Sequence, residues 1–188
     1  MTLETAAGVV PVSAKGDAWR LQARASQSRP VAAARPELAA MLRLSRDDVA
    51  DSPLWVNSGS EQLVIPLTST EAVRRCAPDS ALLRRHGGMS DGGYLVYVWA
   101  EAGNGAVKAR FFFPKGSAVI EDPATGSACA NLGGWFLARN ARLPLTRVVR
   151  QGDAVGRPSR LRLELEEPAR IFVSGDVREL GRGIVRLA

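Results

Sequence analysis

Histidine and cysteine are scarce in this chain of 188 residues, and their scarcity excludes several kinds of site. His86 is the only histidine, and Cys76 and Cys129 are the only cysteines. So few ligands cannot form a disulfide framework, a multi-histidine metal centre or a four-ligand zinc site. We therefore expect no metal. We interpret His86 as an ordinary surface histidine and both cysteines as small buried apolar residues.

Long apolar runs are also missing. No segment approaches the ~20 apolar residues that a membrane-spanning helix needs. The first ten residues, MTLETAAGVV, lack the basic and apolar regions of a secretory signal. These absences predict a cytoplasmic protein with no membrane partner.

The charge of the chain is strongly basic, with a formal net charge of +6, but lysine is almost absent. Its only lysines are Lys15, Lys108 and Lys115. The arginines are dispersed, with no run of more than two basic residues, whereas nucleic-acid sites cluster their basic residues on one face or along one helix. We therefore predict no nucleic-acid partner and attribute the arginine content to coding bias.

The strand patterns favour antiparallel pairing. Two short strands are predicted within residues 8–25, joined by a turn at 15–17. A hairpin is predicted for 94–100 and 107–113, because an Asn-Gly pair lies between them. The alternation in LRLELE, residues 161–166, indicates a half-buried antiparallel strand. The Pro- and Arg-rich segment 27–36 has no periodicity and is predicted to be a linker.

One helix has to be buried on every side. The segment EDPATGSACANLGGWFLARN spans residues 121–140, and its apolar residues surround the whole helix until charge returns at Arg139. Asp122 is predicted as the N-cap and Pro123 as the first helical residue. The glycines lower helix propensity, a cost that close packing or ligand access would offset. The fold class is therefore α+β, with antiparallel strands and at least one buried helix.

The start of this helix is a candidate anion site. The first helical turn has unpaired N–H groups and a partial positive charge. Gly126 and Ser127 would let an anion approach the backbone closely and would add a hydroxyl donor. The alternative is a helix of small residues that packs in a barrel and binds no ligand. The segment is not a P-loop, because it lacks the Gly-Lys-Ser/Thr sequence.

The segment EDPATGSA resembles the signature of the PhzF-like family, named for the phenazine-biosynthesis isomerase. The resemblance covers residues 3–188 and is carried by further segments in the family's order: ETAAGVVPV, LWVNSGSEQLVIPL, ARFFFPKGSAVIEDPATGSACANLGGWF, RQGDAVGRPSRLRLEL and IFVSGDVRELGRGIVRL.

The resemblance implies the fold of diaminopimelate epimerase and proline racemase, in which each of two domains wraps a curved antiparallel sheet or barrel around a central helix. Here that helix would be residues 123–138 of the second domain. Asp122, Thr125, Gly126 and Ser127 would bind a small carboxylate-bearing substrate, with Asp122 orienting it first and transferring protons second. No cofactor is implied. Ala124 stands where the epimerases have a cysteine, so a two-cysteine mechanism is not expected.

The resemblance also implies that part of the family enzyme is missing. Family members carry about a hundred further residues, including the acid/base glutamate in a Leu-Ser-Glu-Thr segment. Neither Glu4 nor Glu61 matches that segment. We expect residues 1–28 to be the last strands of a missing first domain and 29–188 to be the C-terminal domain.

The function implied is cofactor-independent proton transfer of a secondary-metabolite type, with this chain as the substrate-anchoring C-terminal half. Whether the chain alone is an enzyme stays open. It would pair with a separately encoded first-domain half or with a second copy of itself. The alternatives are a non-catalytic binding or assembly module that kept the fold, and a homodimer that imitates the two-domain enzyme.

Overall fold

A computed structural model of the chain describes residues 1–5, 8–88, 93–184 and 186, and it contains one extended sheet with a few short helices. The strands, numbered in chain order, are β1 (Thr2–Thr5), β2 (Gly8–Lys15), β3 (Ala18–Gln22), β4 (Gln27–Pro30), β5 (Leu54–Asn57), β6 (Glu61–Pro66), β7 (Val96–Glu101), β8 (Ala106–Lys115), β9 (Ala118–Asp122), β10 (Leu145–Gln151), β11 (Ser159–Glu166) and β12 (Arg170–Asp176). The α-helices are α1 (Arg35–Leu42), α2 (Thr70–Arg75), α3 (Ser80–His86) and α4 (Gly126–Ala138).

The sheet is mixed and open. Its strands follow the order β1-β2-β3-β12-β11-β10-β8-β7-β6-β5-β4, with β9 beside β8. Most neighbours are antiparallel, but β6 with β7 and β8 with β10 are parallel. The α+β class is confirmed. The expected antiparallel sheet or barrel is corrected to a mixed sheet, because two pairs are parallel, and to an open one, because in the described part of the chain the end strands β1 and β4 are not paired with each other.

Helix α4 packs against one face of the sheet and is the centre of one of two cores. Alternate residues of the strands point toward it, including Val64, Tyr97 and Ala109. The helix contacts β4, β5 and β6 on one side and β11 and β12 on the other, so strands from distant parts of the sheet meet at one helix. The prediction that this helix is buried is confirmed.

The other face of the sheet is covered by the three shorter helices. Leu38, Met41 and Val73 from α1 and α2 pack on strand residues such as Leu63 and Val98. Since neighbouring residues of β6, such as Leu63 and Val64, belong to different cores, this strand is buried on both faces. That explains the apolar run from Leu63 to Pro66, which has no polar alternation.

The leading strands are joined to the main sheet. The predicted hairpin at residues 8–25 is confirmed as β2 and β3. Strand β3 pairs antiparallel with β12, so these leading strands continue the sheet that the rest of the chain forms. Within the described ranges, β1 pairs only with β2 and leaves one edge unpaired.

The predicted linker at 27–36 is partly wrong. Residues Gln27–Pro30 form the edge strand β4, which pairs with β5, and α1 begins at Arg35. The strand is exposed along its whole length, so no apolar alternation marks it in the sequence. Pro30 ends it, which is a position that proline tolerates on an edge strand.

Candidate functional site

The central helix begins later than the sequence pattern suggests. Its N-cap is Thr125 and its first residue is Gly126, so the prediction of Asp122 as N-cap and of a helix from residue 123 is wrong. The reason is that Asp122 belongs to β9 and lies opposite Phe111 of β8, which keeps its backbone extended. Among the described residues, the Asp122 carboxylate accepts no hydrogen bond from a helical N–H group.

The first turn of α4 has donor groups without acceptors. Among the residues that the structure describes, no acceptor is bonded to the N–H groups of Gly126, Ser127 or Ala128, and the first bonded one is that of Cys129. Gly126 and Ser127 are exposed. A Cβ atom built on Gly126 would meet no atom within 4 Å. The backbone is therefore open to approach from outside the protein.

A hydrogen-bonded chain runs beside this turn. The Thr125 hydroxyl donates to Asp122 Oδ2 at 2.5 Å. The buried Gln151, at the end of β10, donates through Nε2 to Thr125 Oγ1 at 2.9 Å and to the Asp122 carbonyl at 2.7 Å. Of the predicted site residues, the structure thus brings Asp122 and Thr125 into direct contact, immediately before Gly126 and Ser127.

A second glutamine contacts the first turn of the helix. Gln62 of β6 is buried, and its Nε2 lies 3.0 Å from Ser127 Oγ. Sequence reasoning missed both glutamines. Each shares a strand face with an apolar residue that packs on α4, Val64 for Gln62 and Val149 for Gln151. A polar residue on a buried strand face needs a hydrogen-bond partner, and that was the signal that could have found them.

The two neighbouring carboxylates at residues 121 and 122 have different surroundings. Glu121 accepts from Arg110 Nε at 3.0 Å and from Arg110 Nη2 at 2.7 Å, and both side chains are mostly buried. Arg110 also donates to the Cys76 carbonyl at 2.6 Å, just after α2. Glu121 is therefore part of the scaffold that joins β8, β9 and α2, and only Asp122 adjoins the start of α4.

Both cysteines are buried, which confirms their interpretation as apolar residues. Burial raises the pKa of Cys76 and that of Cys129 to about 12. Cys129 lies within α4 rather than at its start.

We predict that neither thiol reacts with a chromogenic disulfide reagent at neutral pH in the folded protein, and that both react after denaturation. The raised pKa keeps each thiol protonated in the folded state, whereas unfolded thiols ionise near pH 8.5. Stability should therefore fall as the pH rises from about 9 toward about 12. Rapid modification of the native protein at pH 7 would contradict this prediction.

The described part of the chain contains no group of three or more His, Cys, Asp or Glu side chains that could hold a metal ion. His86, expected on the surface, ends α3 with a mostly covered side chain whose Nδ1 lies 3.8 Å from Glu37 Oε1. Within the same described ranges, no helix has the length and apolar character needed to cross a membrane.

The geometry defines a protein in which a mixed, open sheet packs on a central helix whose N-terminus is accessible. The family model for phenazine biosynthesis-like proteins (PhzC-PhzF) matches residues 1–178, so the chain belongs to that family. A protein of Pasteurella multocida named as an uncharacterized isomerase is 41% identical over 148 residues, which are 79% of this chain and 49% of that protein. A Pseudomonas aeruginosa protein of the same description is 35% identical over 136 residues, 72% of this chain and 48% of its own length.

Solved structures share the fold. A PhzF-family phenazine biosynthesis protein of Bacillus anthracis has a TM-score of 0.75 at 18% identity, over 94% of this chain and 66% of its own. A probable proline racemase of Agrobacterium radiobacter has a TM-score of 0.59 at 16% identity, over 100% of this chain and 60% of its own. The chain thus spans about half the length of the curated relatives and about two thirds of these structures.

Proposed function

We propose that this chain is the substrate-anchoring C-terminal half of a cofactor-independent isomerase or epimerase, and that the start of α4 binds a carboxylate of its substrate. Family membership and the isomerase names of two relatives support the reaction class. The match to about half of each relative supports the role as one half.

The observation that carries the proposal is the open first turn of α4. Three successive N–H groups have no acceptor among the described residues, and Gly126 leaves the backbone uncovered. A helix N-terminus carries a partial positive charge of about half an elementary charge, which favours a carboxylate there. The exposed Ser127 hydroxyl adds a side-chain donor next to these groups.

In this proposal Asp122 orients the substrate rather than binding its carboxylate. Its Oδ2 is engaged by Thr125, whereas Oδ1 has no hydrogen-bond partner among the described residues. A carboxylate can only accept hydrogen bonds when it is ionised, so Oδ1 suits a hydroxyl or ammonium group of the ligand. The acid/base glutamate of the family would come from the half of the enzyme that this chain does not match.

We predict that Ser127→Ala weakens the binding of a small carboxylate by about 0.5–1.5 kcal/mol, the usual net contribution of one hydrogen bond. The affinity can be measured from the shifts of the Gly126 and Ser127 amide resonances during titration with sodium acetate. Gly126→Ala is a second variant: a methyl group in open space should leave folding intact while it narrows the approach to the N–H groups.

The control is Ser13→Ala, which removes an exposed serine hydroxyl from β2, a strand that contributes no residue to the site. It should bind acetate as the unmodified chain does. If acetate moves no resonance between residues 122 and 128, the anion site does not exist and the proposal is wrong.

A specific feature favours an assembly in which the site is completed by a second protein. The sheet face that packs on α4 continues onto the leading strands, because Leu21 pairs with the buried Val173. On that same face Leu3 and Leu21 are 46% and 41% exposed. A continuous exposed apolar surface usually marks an interface. We propose that the missing half covers it, with a second copy of this chain as the alternative occupant.

A further inference from the structure

Gln151 is a polar residue at a position where the strand pattern calls for an apolar one. Its side chain is fully buried and lies on the same face of β10 as Val149, which packs in the core around α4. Its Nε2 is 2.7 Å from the Asp122 carbonyl oxygen. A backbone carbonyl can only accept a hydrogen bond, so this contact fixes which end of the amide is the NH₂ group.

This orientation determines the direction of every hydrogen bond that follows. The second N–H of Gln151 points to Thr125 Oγ1 at 2.9 Å, so the hydroxyl is an acceptor there. Its single proton is then donated to Asp122 Oδ2 at 2.5 Å. Bonds to a charged acceptor are shorter and stronger than neutral ones. The hydrogen bonds are thus all donated in one direction, from the buried Gln151 amide to the Thr125 hydroxyl and from that hydroxyl to the Asp122 carboxylate.

The backbone next to Gln151 is closely packed at Gly152. Gly152 has a φ of +86°, and a Cβ atom on it would lie 2.2 Å from the Arg157 carbonyl oxygen and 2.6 Å from that of Pro123. The end of β10 is therefore packed directly on the segment between β9 and α4. Gln151 is held by the sheet and can in turn hold the residues before the helix.

We propose that Gln151 is a positioning residue that acts through Thr125 to aim the free oxygen of Asp122 at a hydroxyl or ammonium group of the bound ligand. The inference rests on the proposed function, in which the start of α4 holds the ligand's carboxylate. Without the Gln151 donor, the Thr125 hydroxyl can rotate, and Asp122 loses the contact that fixes its rotamer.

The test compares two probes that differ by one hydroxyl group, sodium glycolate and sodium acetate. Both present a carboxylate to the start of α4, but only glycolate offers a donor to Asp122. Their affinities are measured from the amide resonances of Gly126 and Ser127, in the unmodified chain and in Gln151→Met. We expect Gln151→Met to weaken glycolate roughly three- to tenfold, the range for one hydrogen bond, and to leave acetate within twofold.

Two further variants separate positioning from simple support of the fold. In an Asp122→Asn background, Gln151→Met should have no further effect on glycolate: the single Asn oxygen accepts from Thr125, and the NH₂ group in place of the free oxygen cannot accept from the glycolate hydroxyl. Thr125→Val should reproduce the glycolate loss, and Thr125→Ser should retain normal affinity. Thr125→Val also carries the test if Gln151→Met does not fold, because Thr125 is the middle of the same chain of bonds.

The outcomes distinguish the two proposals. Equal losses for acetate and glycolate in Gln151→Met, or a loss that adds fully to that of Asp122→Asn, would show that Gln151 only supports the fold and would overturn the inference alone. Equal affinity of the unmodified chain for the two probes would also overturn it. Binding of neither probe would overturn the proposed function and the inference with it.

Discussion

Gly134→Ala is expected to lower the free energy of unfolding by about 1–3 kcal/mol, the usual cost of overpacking a core. A Cβ atom on Gly134 would lie 2.7 Å from both Ser26 Cβ and Val56 Cγ1. Ser26 Cβ is attached directly to the backbone, so it cannot yield without moving the segment between β3 and β4. The gain in helix propensity, up to about 1 kcal/mol, offsets only part of this cost.

Gly133→Ala tests the opposite side of α4. Its Cβ atom would lie 2.8 Å from Ile171 Cγ2 and 3.0 Å from the nearest methyl carbons of Leu163 and Leu165. The two glycines are adjacent in α4 and face different strands, so the helix cannot relieve one clash without worsening the other, and the loss in the double variant should exceed the sum of the single losses.

The measurement for these variants is urea denaturation followed by circular dichroism, and Gly126→Ala is the matched control. It adds the same methyl group to the same helix, in open space, and should be as stable as the unmodified chain or slightly more so. A Gly134→Ala variant with unchanged stability would mean that the strands do not approach α4 as closely as the structure has them.

The sequence predicts the buried central helix because apolar side chains cover every side of it. A helix with Cys129, Leu132 and Phe136 on different sides and no charge before Arg139 cannot lie on a surface. Strands with clear alternation or with both faces apolar were also predicted: Leu163 and Leu165 of β11 are buried.

The features that escaped prediction depend on contacts distant in the sequence. Pro123 after an aspartate is typical of a helix start, but the pairing of Asp122 with β8 is a tertiary contact and moved the start to Gly126. The edge strand β4 has no apolar residue to reveal it. The role of Gln62 and Gln151 could not be predicted, because their partners are the hydroxyl groups of Ser127 in α4 and of Thr125 at its N-cap, which are distant in the sequence.

The isolated chain is expected to show no isomerase turnover, and it should not be a stable monomer. The absence of turnover follows from the proposal that the acid/base glutamate belongs to the other half, since such a group contributes typically 10²–10⁴-fold to the rate.

The expectation that the chain is not a stable monomer follows from the exposed apolar residues of β1 and β3. It also follows from the edge of β1 that no described strand pairs, because an unpaired edge can bind another strand. Light scattering at low micromolar concentration measures the association.

The turnover prediction is tested most directly by adding a candidate for the other half of the enzyme. The part of the Pasteurella multocida relative that this chain does not match, about half of that protein, can be coexpressed with it as a candidate first half. Deuterium incorporation from D₂O into a panel of hydroxy- and amino-carboxylates reports proton transfer whatever the product is. We expect incorporation only when both halves are present, and slower incorporation at subsaturating substrate in Ser127→Ala or Asp122→Asn. If the chain alone incorporates deuterium and Asp122→Asn abolishes it, then Asp122 transfers the proton itself and the division of roles between the halves is wrong.

A monomeric chain that neither pairs with that half nor dimerises would favour the non-catalytic binding module, because nothing else would complete the site.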